Sequence, residues 1–207
     1  RFIPIAEESN LIVSLGEWVL QRAFAILAGW HGTELGHLRL AVNLSARQCH
    51  SPALLPYLDA LLADSGIDPT RLELEITESA AMQDPERSRA LLVELRARGI
   101  RVAIDDFGTG YSSLSYLKLF EIDRIKIDQS FVKDIETDPD DAVIVAATIA
   151  LAHSLGLAVV GEGVETAAQR DFLRAKQCDE AQGYLYARPL PLEQFVELLN
   201  TRYDEAA

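Results

Sequence analysis

The chain has 207 residues, 49% hydrophobic and 25% charged, which suits one sizeable core and excludes disordered, collagen-like and large two-domain architectures. Its 19 basic and 32 acidic side chains give a formal net charge of −13, a field that repels polyanions, so binding to nucleic-acid polymers is not expected. Cys49 and Cys178 lie far apart without a paired spacing and read as reduced thiols of a cytoplasmic protein.

In chain order, the periodicity predicts a first helix over Ile12 to Leu27, ended by Gly29, and then a loop carrying Gly32 and Gly36. Strand and helix then alternate. Leu38 to Leu44 reads as a strand and Pro52 to Ser65 as a helix stopping at Gly66. Leu72 to Ile76 is the second strand, followed by a helix that opens at Asp84-Pro85 and stops at Gly99. Val102 to Ile104 is the third, then a Gly/Ser turn and a short helix near Ser113 to Leu119. Ile125 to Ile127 is the fourth, followed by a helix from Pro139 to Leu155. Leu157 to Val160 is the fifth, followed by a helix from Thr166 to Lys176. Ala181 to Tyr186 is the sixth, and Pro191 to Leu199 closes the chain as an amphipathic helix. Ala142 to Val160 holds no Asp, Glu, Lys or Arg, yet Gly156 divides it into a buried helix and a strand, so it is not expected to span a membrane. The chain opens at Arg1 with no signal core; a fragment without a secretory peptide is expected, and anchorage of the parent protein through other segments stays open.

Strands alternating with helices imply right-handed crossovers and a parallel sheet, either doubly wound or closed into a barrel. Polar side chains stand at every strand end: Asn43, Glu75, Asp105 with Asp106, Lys126 with Asp128, Glu162 with Glu165, and Gln182. A doubly wound sheet gathers its ligand groups at one switch point, whereas a barrel draws them from many strands, so an α/β fold of the TIM-like (β/α)8 type is expected. Six of the eight strands fall within this chain.

Leu72 to Glu78 alternates apolar and acidic residues, which places Glu73 and Glu75 on one face; alone this is a strand with a solvated acidic face, but in a barrel that face lines the interior. Asp105-Asp106-Phe107-Gly108-Thr109-Gly110 reads either as an Asp-rich turn capping the next helix or as paired carboxylates for divalent metal. It lacks the third glycine of a dinucleotide fingerprint and the Lys of a phosphate loop. Lys126, flanked by Ile125 and Ile127, reads as a partner for carboxylates, an anchor for water or phosphate, a Schiff-base nucleophile or an edge-strand lysine. Glu162 and Glu165 end a very apolar strand, where an unpaired carboxylate is costly, so a cation is expected beside them. His31, His37, His50 and His153 have no ligand-like spacing; oxygen-ligated Mg²⁺ or Mn²⁺ is expected rather than zinc.

The chain resembles the EAL-domain family, bacterial phosphodiesterases that hydrolyse cyclic di-GMP to linear pGpG. The resemblance runs through Phe2-Ile3-Pro4-Ile5-Ala6-Glu7-Glu8, Val42-Asn43-Leu44-Ser45, Leu74-Glu75-Ile76-Thr77-Glu78-Ser79, Asp105 to Gly110, Lys126-Ile127-Asp128, Glu162-Gly163-Val164-Glu165-Thr166 and Gln182-Gly183-Tyr184, in order and spacing. It departs where Gly161 replaces the usual alanine and Phe120-Glu121 the usual leucine-proline.

The resemblance implies that residues 1–207 belong to one such domain. Asn43, Glu75 and Asp105 would ligate metal, with Asp106 serving a second metal position. Lys126 and Glu162 would orient or deprotonate the attacking water. Gln182, Glu165 and Asp128 would support metals and substrate, and Glu78 would hold the loop from Asp106 to Ser113. Two Mg²⁺ or Mn²⁺ ions are implied as cofactors; Ca²⁺, with longer and more variable bonds to oxygen, is expected on ligand geometry to occupy the site and inhibit. The implied partners are cyclic di-GMP, a second copy of the chain, and upstream sensory or GGDEF-type domains. The namesake Glu-Ala-Leu segment would precede Arg1 with the two remaining strands, so the 207 residues alone are expected to be inactive. A catalytically inactive receptor for the nucleotide remains the alternative, and a Schiff-base aldolase using Lys126 a third reading.

Overall fold

The computed structural model describes residues 5–6, 11–110 and 114–206. Six parallel strands form one curled sheet in which each pairs with the next: β1 Leu40–Leu44, β2 Leu72–Thr77, β3 Arg101–Phe107, β4 Arg124–Ile127, β5 Ala158–Gly161 and β6 Glu180–Ala181. The order β1-β2-β3-β4-β5-β6 without a reversal is that of a barrel wall, and the curled half-barrel bears out the TIM-like expectation.

Alternation along each strand separates two chemistries. On β2, Leu72, Leu74 and Ile76 enter the hydrophobic core, which also holds Val102 and Ile104 of β3, Ile125 and Ile127 of β4, and Leu20, Phe24, Leu58, Leu92, Leu95 and Ile149 of the helices. Burial of each such side chain contributes about 1.5–3 kcal/mol. The alternate residues Glu73, Glu75, Arg124 and Lys126 are buried too, but they face the concave interior, and the strands pack on both faces as barrel strands do.

The helices start where short polar side chains cap them. Asp84 accepts from the Arg87 backbone N–H ahead of Pro85–Ala97, and Thr166 forms a capping box with Gln169 ahead of Ala167–Ala175. Gly156, at φ +74°, turns the chain from helix Pro139–Ser154 into β5, so the uncharged stretch divides into a helix and a strand as expected, but the helix is not a buried one: Val145, Thr148, Ile149 and Ala152 face the core while Val143 and Ile144 are exposed. Helix Leu11–Trp30 is long and apolar enough to cross a membrane by length and composition alone. Here its Ile12, Gly16, Leu20, Ala23, Phe24 and Leu27 are buried, and it packs on β1 and helix Leu54–Ser65.

Several elements differ from the sequence reading. The first helix passes through Gly29, around which there is open space, and ends at Trp30 ahead of Gly32 at φ +74°. Leu38 caps a 3-10 turn, Glu34–His37, so β1 starts only at Leu40. Two short helices were not expected, Glu78–Gln83, capped by Thr77 at the end of β2, and Gln129–Lys133, capped by Asp128 just past β4. The β3 strand is longer than expected and contains Asp105 and Asp106. β6 is much shorter, because at Gly183 a side chain would lie 2.2 Å from the Val164 carbonyl oxygen; the backbones cross there and Tyr186 N–H turns back to the Gly183 carbonyl at 3.1 Å. The helix expected from Ser113 is described over Leu114–Leu117, and the last helix over Leu192–Ala206. Phe2 to Pro4, Glu7, Glu8 and Tyr111 to Ser113 lie outside the described residues.

Candidate active site

Four strands bring their charged residues together at the carboxyl end of the sheet. Lys126 Nζ on β4 lies 2.8 Å from Glu75 Oε1 on β2, 3.2 Å from Asp105 Oδ1 on β3 and 2.7 Å from Glu162 Oε1 just past β5. The lysine side chain is only 5% exposed, so these are low-dielectric contacts. The register explains the convergence: Ile127 pairs with Gly161, and the Glu162 N–H donates to the Ile127 carbonyl at 3.2 Å, which sets Glu162 beside the end of β4.

Adjacent residues of a regular strand point to opposite faces, so Asp105 and Asp106 could not share a site without a distortion. The distortion is present. The β3–β4 register shifts between Ile104 and Phe107, and Asp106 takes φ +54°, a left-handed conformation that Asp tolerates better than most residues. Asp105, Asp106 and Glu162 thereby offer carboxylate oxygens within 4.8 Å of one another, a grouping able to hold a metal ion. Glu75 is not in that grouping and joins it through Lys126; Asn43, exposed on β1, pairs in register with Glu75.

Electrostatics follow from this crowding. Burial opposes the Lys126 charge, but its hydrogen bonds to Glu162 and Glu75 outweigh that and hold the ammonium well above the ordinary lysine range. Schiff-base chemistry needs the neutral amine, so this environment disfavours the aldolase reading. Burial pushes the Glu162 carboxyl up, against the pull of Lys126. Asp106 is raised by burial and by the neighbouring Asp105 and Asp128 carboxylates.

The remaining expected residues surround this centre. Glu165 and Gln182 line a cleft with Glu162, Gln129, Gly163 and Tyr184. Asp128 stands beside Asp106 and caps helix Gln129–Lys133, accepting from the Ser130 N–H at 2.9 Å and from the Ser130 hydroxyl. Glu78 is buried beneath the loop after β3: its Oε2 accepts from the Gly108 N–H at 2.7 Å, and a side chain at Gly110 would come within 2.8 Å of its Oε1. Glu78→Ala is expected to free that loop, lowering both Mn²⁺ affinity and turnover by about 10–100-fold while the circular dichroism spectrum stays native. Wild-type kinetics in a folded variant would separate the loop from the site.

Sequence reading missed a further set of ion pairs below this cluster, one buried and two that reach solvent at Glu180. Arg124 pairs with Glu73 at 3.0 Å and Glu180 at 2.8 Å, and Arg39 with Glu180 at 3.1 Å. Burial pushes the Glu73 carboxyl up despite Arg124 and Arg39. The signal was present on β2, where Glu73 shares a face with Glu75, but its partners lie on distant strands.

A curled parallel α/β sheet with carboxylates and one lysine gathered at the carboxyl ends of its strands is the framework of a (β/α)-barrel domain with an acidic, cation-ready centre. The chain belongs to the EAL domain family, whose profile matches residues 1–189. It is 44% identical over 196 residues to MucR of Pseudomonas aeruginosa, named a bifunctional diguanylate cyclase/cyclic di-GMP phosphodiesterase, covering 95% of this chain and 29% of that protein. It is 44% identical over 207 residues to NbdA of the same organism, named a cyclic di-GMP phosphodiesterase, covering 100% of this chain and 26% of that protein. This chain therefore spans only a minor part of the length of these relatives. Among solved structures, the PaMucR phosphodiesterase in complex with c-di-GMP superposes with a TM-score of 0.91 at 44% identity, covering 94% of this chain and 78% of that one. A manganese and cyclic di-GMP complex of Klebsiella pneumoniae BlrP1 superposes with a TM-score of 0.76 at 36% identity, covering 86% and 45%.

Proposed function

We propose that residues 1–207 belong to the catalytic domain of a phosphodiesterase that hydrolyses cyclic di-GMP to linear pGpG with two divalent cations. The observation that carries this reading is the Lys126 cluster: one ammonium held by three carboxylates from three strands, beside the Asp105, Asp106 and Glu162 grouping. Such a surplus of carboxylate oxygen over positive charge fits hard divalent cations better than soft ones. Asn43, Glu75, Asp105 and Asp106 would hold them. Bound cations would acidify the attacking water and neutralise the phosphodiester, without which a chain of this charge repels its substrate.

The chain's own residues do the rest. Lys126, kept protonated, donates from Nζ to Glu75, Asp105 and Glu162 and fixes their orientation. Glu162, whose carboxyl burial pushes up against the pull of Lys126, would accept a proton from the attacking water. Gln182 and Glu165, lining the same cleft, orient the dinucleotide; Asp128 supports Asp106, and Glu78 holds the loop. Dimerisation, coupling to GGDEF-type or sensory domains and a cytoplasmic setting are part of this proposal.

Product analysis tests it. The parent protein, incubated with cyclic di-GMP and Mg²⁺ or Mn²⁺, is expected to release pGpG and to stop in excess chelator. Ca²⁺, with longer and more variable bonds, is expected to compete for the site without supporting turnover. Nucleotide binding with no product in any metal would leave a receptor instead.

The raised carboxyls also predict a pH dependence. In the metal-free protein Asp106 and Glu162 have folded pKa values above their unfolded ones, so their contribution to stability is greatest at acidic pH and declines as pH rises through the ordinary carboxylate range. Cations bind the ionised forms and offset that decline. The rise in melting temperature on adding Mn²⁺ is therefore expected to be larger near about pH 7 than near about pH 5. A pH-independent rise, read by calorimetry, would count against cation binding at these carboxylates.

A further inference from the structure

Beneath the Lys126 cluster lies a second ionic layer that none of the roles above uses. Residues two apart on a strand share a face, so Arg124 sits one level below Lys126 on β4 and Glu73 one level below Glu75 on β2. Glu180 likewise precedes Gln182 by two positions. Barrel interiors fill in layers drawn from alternate strands. Here β2, β4 and β6 supply Glu73, Arg124 and Glu180 to one layer, and Glu75 and Lys126, with Gln182 just past β6, stand in the layer above.

Arg124 spans the lower layer. Its Nη1 and Nη2 donate to Glu180 Oε2 at 2.8 Å and Oε1 at 3.1 Å, and its Nε lies 3.0 Å from Glu73 Oε2. Ala103 on β3 is in register with Arg124, and Val160 on β5 with Lys126; both are small, which leaves the guanidinium room to reach across. Among the described residues, Arg124 Nε and Glu73 Oε2 are buried without an aligned hydrogen-bond partner, so charge alone holds that contact. If Arg124 were neutral, the cations left to Glu73 would be Arg39, partly exposed and already engaged by Glu180, and Lys126, a buried point charge on a flexible stem two residues along from Arg124 on β4.

We propose that Arg124 is a positioning residue: by occupying Glu73 and Glu180, it keeps the Lys126 ammonium in the upper layer against Glu75, Asp105 and Glu162. The kinetic consequence rests on the phosphodiesterase reading; the placement of the ammonium rests on geometry alone. In Arg124→Met the buried Glu73 carboxylate, stranded without its guanidinium, draws Lys126 downward. Removing both members of the buried pair, in Glu73→Gln with Arg124→Met, leaves no charge to draw it, while Glu180 keeps Arg39.

The test compares the full-length parent protein, wild type and variants, by steady-state kinetics with Mn²⁺ and by the ¹H–¹⁵N NMR signal of the Lys126 ammonium in the metal-free state. Arg124→Met is expected to lower kcat about 10–100-fold with KM little changed, and to shift or broaden the ammonium signal. The double variant is expected to recover both. A folded Arg124→Met with wild-type kcat and an unmoved signal overturns the proposal, as does a double variant no better than the single one. Should Arg124→Met not fold, Arg124→Lys decides: it keeps the charge but loses the bidentate fork, so a smaller fall in kcat with a displaced ammonium signal is expected, and wild-type values of both overturn the proposal. If the wild-type protein yields no pGpG, the phosphodiesterase reading fails and the ammonium signal alone judges the positioning.

Discussion

Lys126→Met is expected to abolish turnover of cyclic di-GMP and to destabilise the metal-free protein by about 3–5 kcal/mol, the usual effect of removing one partner from a buried ion pair. The side chains of Lys126, Glu75, Asp105 and Glu162 are only 5%, 8%, 12% and 16% exposed, so little water is at hand to replace the lost ammonium. Three carboxylates then face one another across a low-dielectric interior, and each can relieve the repulsion only by taking a proton. The sign with pH follows: without the ammonium the Glu162 carboxyl, already pushed up by burial, rises further, so the deficit of the variant should shrink on acidification and grow toward neutral pH. Chemical denaturation in chelator at two pH values measures this, and Mn²⁺ should restore part of the stability without restoring product. A variant as stable as wild type in chelator that still released pGpG would refute the central role of the lysine.

Asp105→Asn and Glu162→Gln are each expected to reduce kcat by about 10²–10⁴-fold, and the double variant by little more than the worse single one. Both carboxylates contact the same Lys126 Nζ and both belong to the same 4.8 Å grouping, so losing either already dismantles the shared centre. Amide replacements preserve size and keep one oxygen acceptor, which confines the change to charge. Single-turnover kinetics at saturating Mn²⁺ provide the measurement. Multiplicative losses would mean that the two groups act independently and that the cluster is not one unit.

The parts of this site that could be read in the sequence are those encoded by local rules. A period of two along Leu72 to Glu78 puts Glu73 and Glu75 on one face, and a polar residue closing each apolar run marks the carboxyl end of each strand. Those rules reach one strand at a time. They do not show that β3 shifts register and that Asp106 turns left-handed, which is what lets two adjacent carboxylates serve one centre. The helices Glu78–Gln83 and Gln129–Lys133 escaped because each is too short to display a periodicity, although the Thr77 and Asp128 caps that start them were in plain view. The sixth strand was read too long because nothing local in Ala181 to Tyr186 records that Val164 crosses directly against Gly183.

From the sequence alone came the alternating parallel architecture, the polar strand ends and, through ordered motifs, the family, because hydrophobic period, caps and motif spacing are properties of contiguous residues. Tertiary structure alone decided that Lys126 is shared by Glu75, Asp105 and Glu162, that Glu78 braces Gly108, and that Arg124 holds Glu73 and Glu180 one layer below. Those contacts join residues from 21 positions apart, for Asp105 and Lys126, to 56 apart, for Arg124 and Glu180, brought together only when parallel strands align side by side. Their strength comes from exclusion of water by the packed strands, a property no single segment possesses.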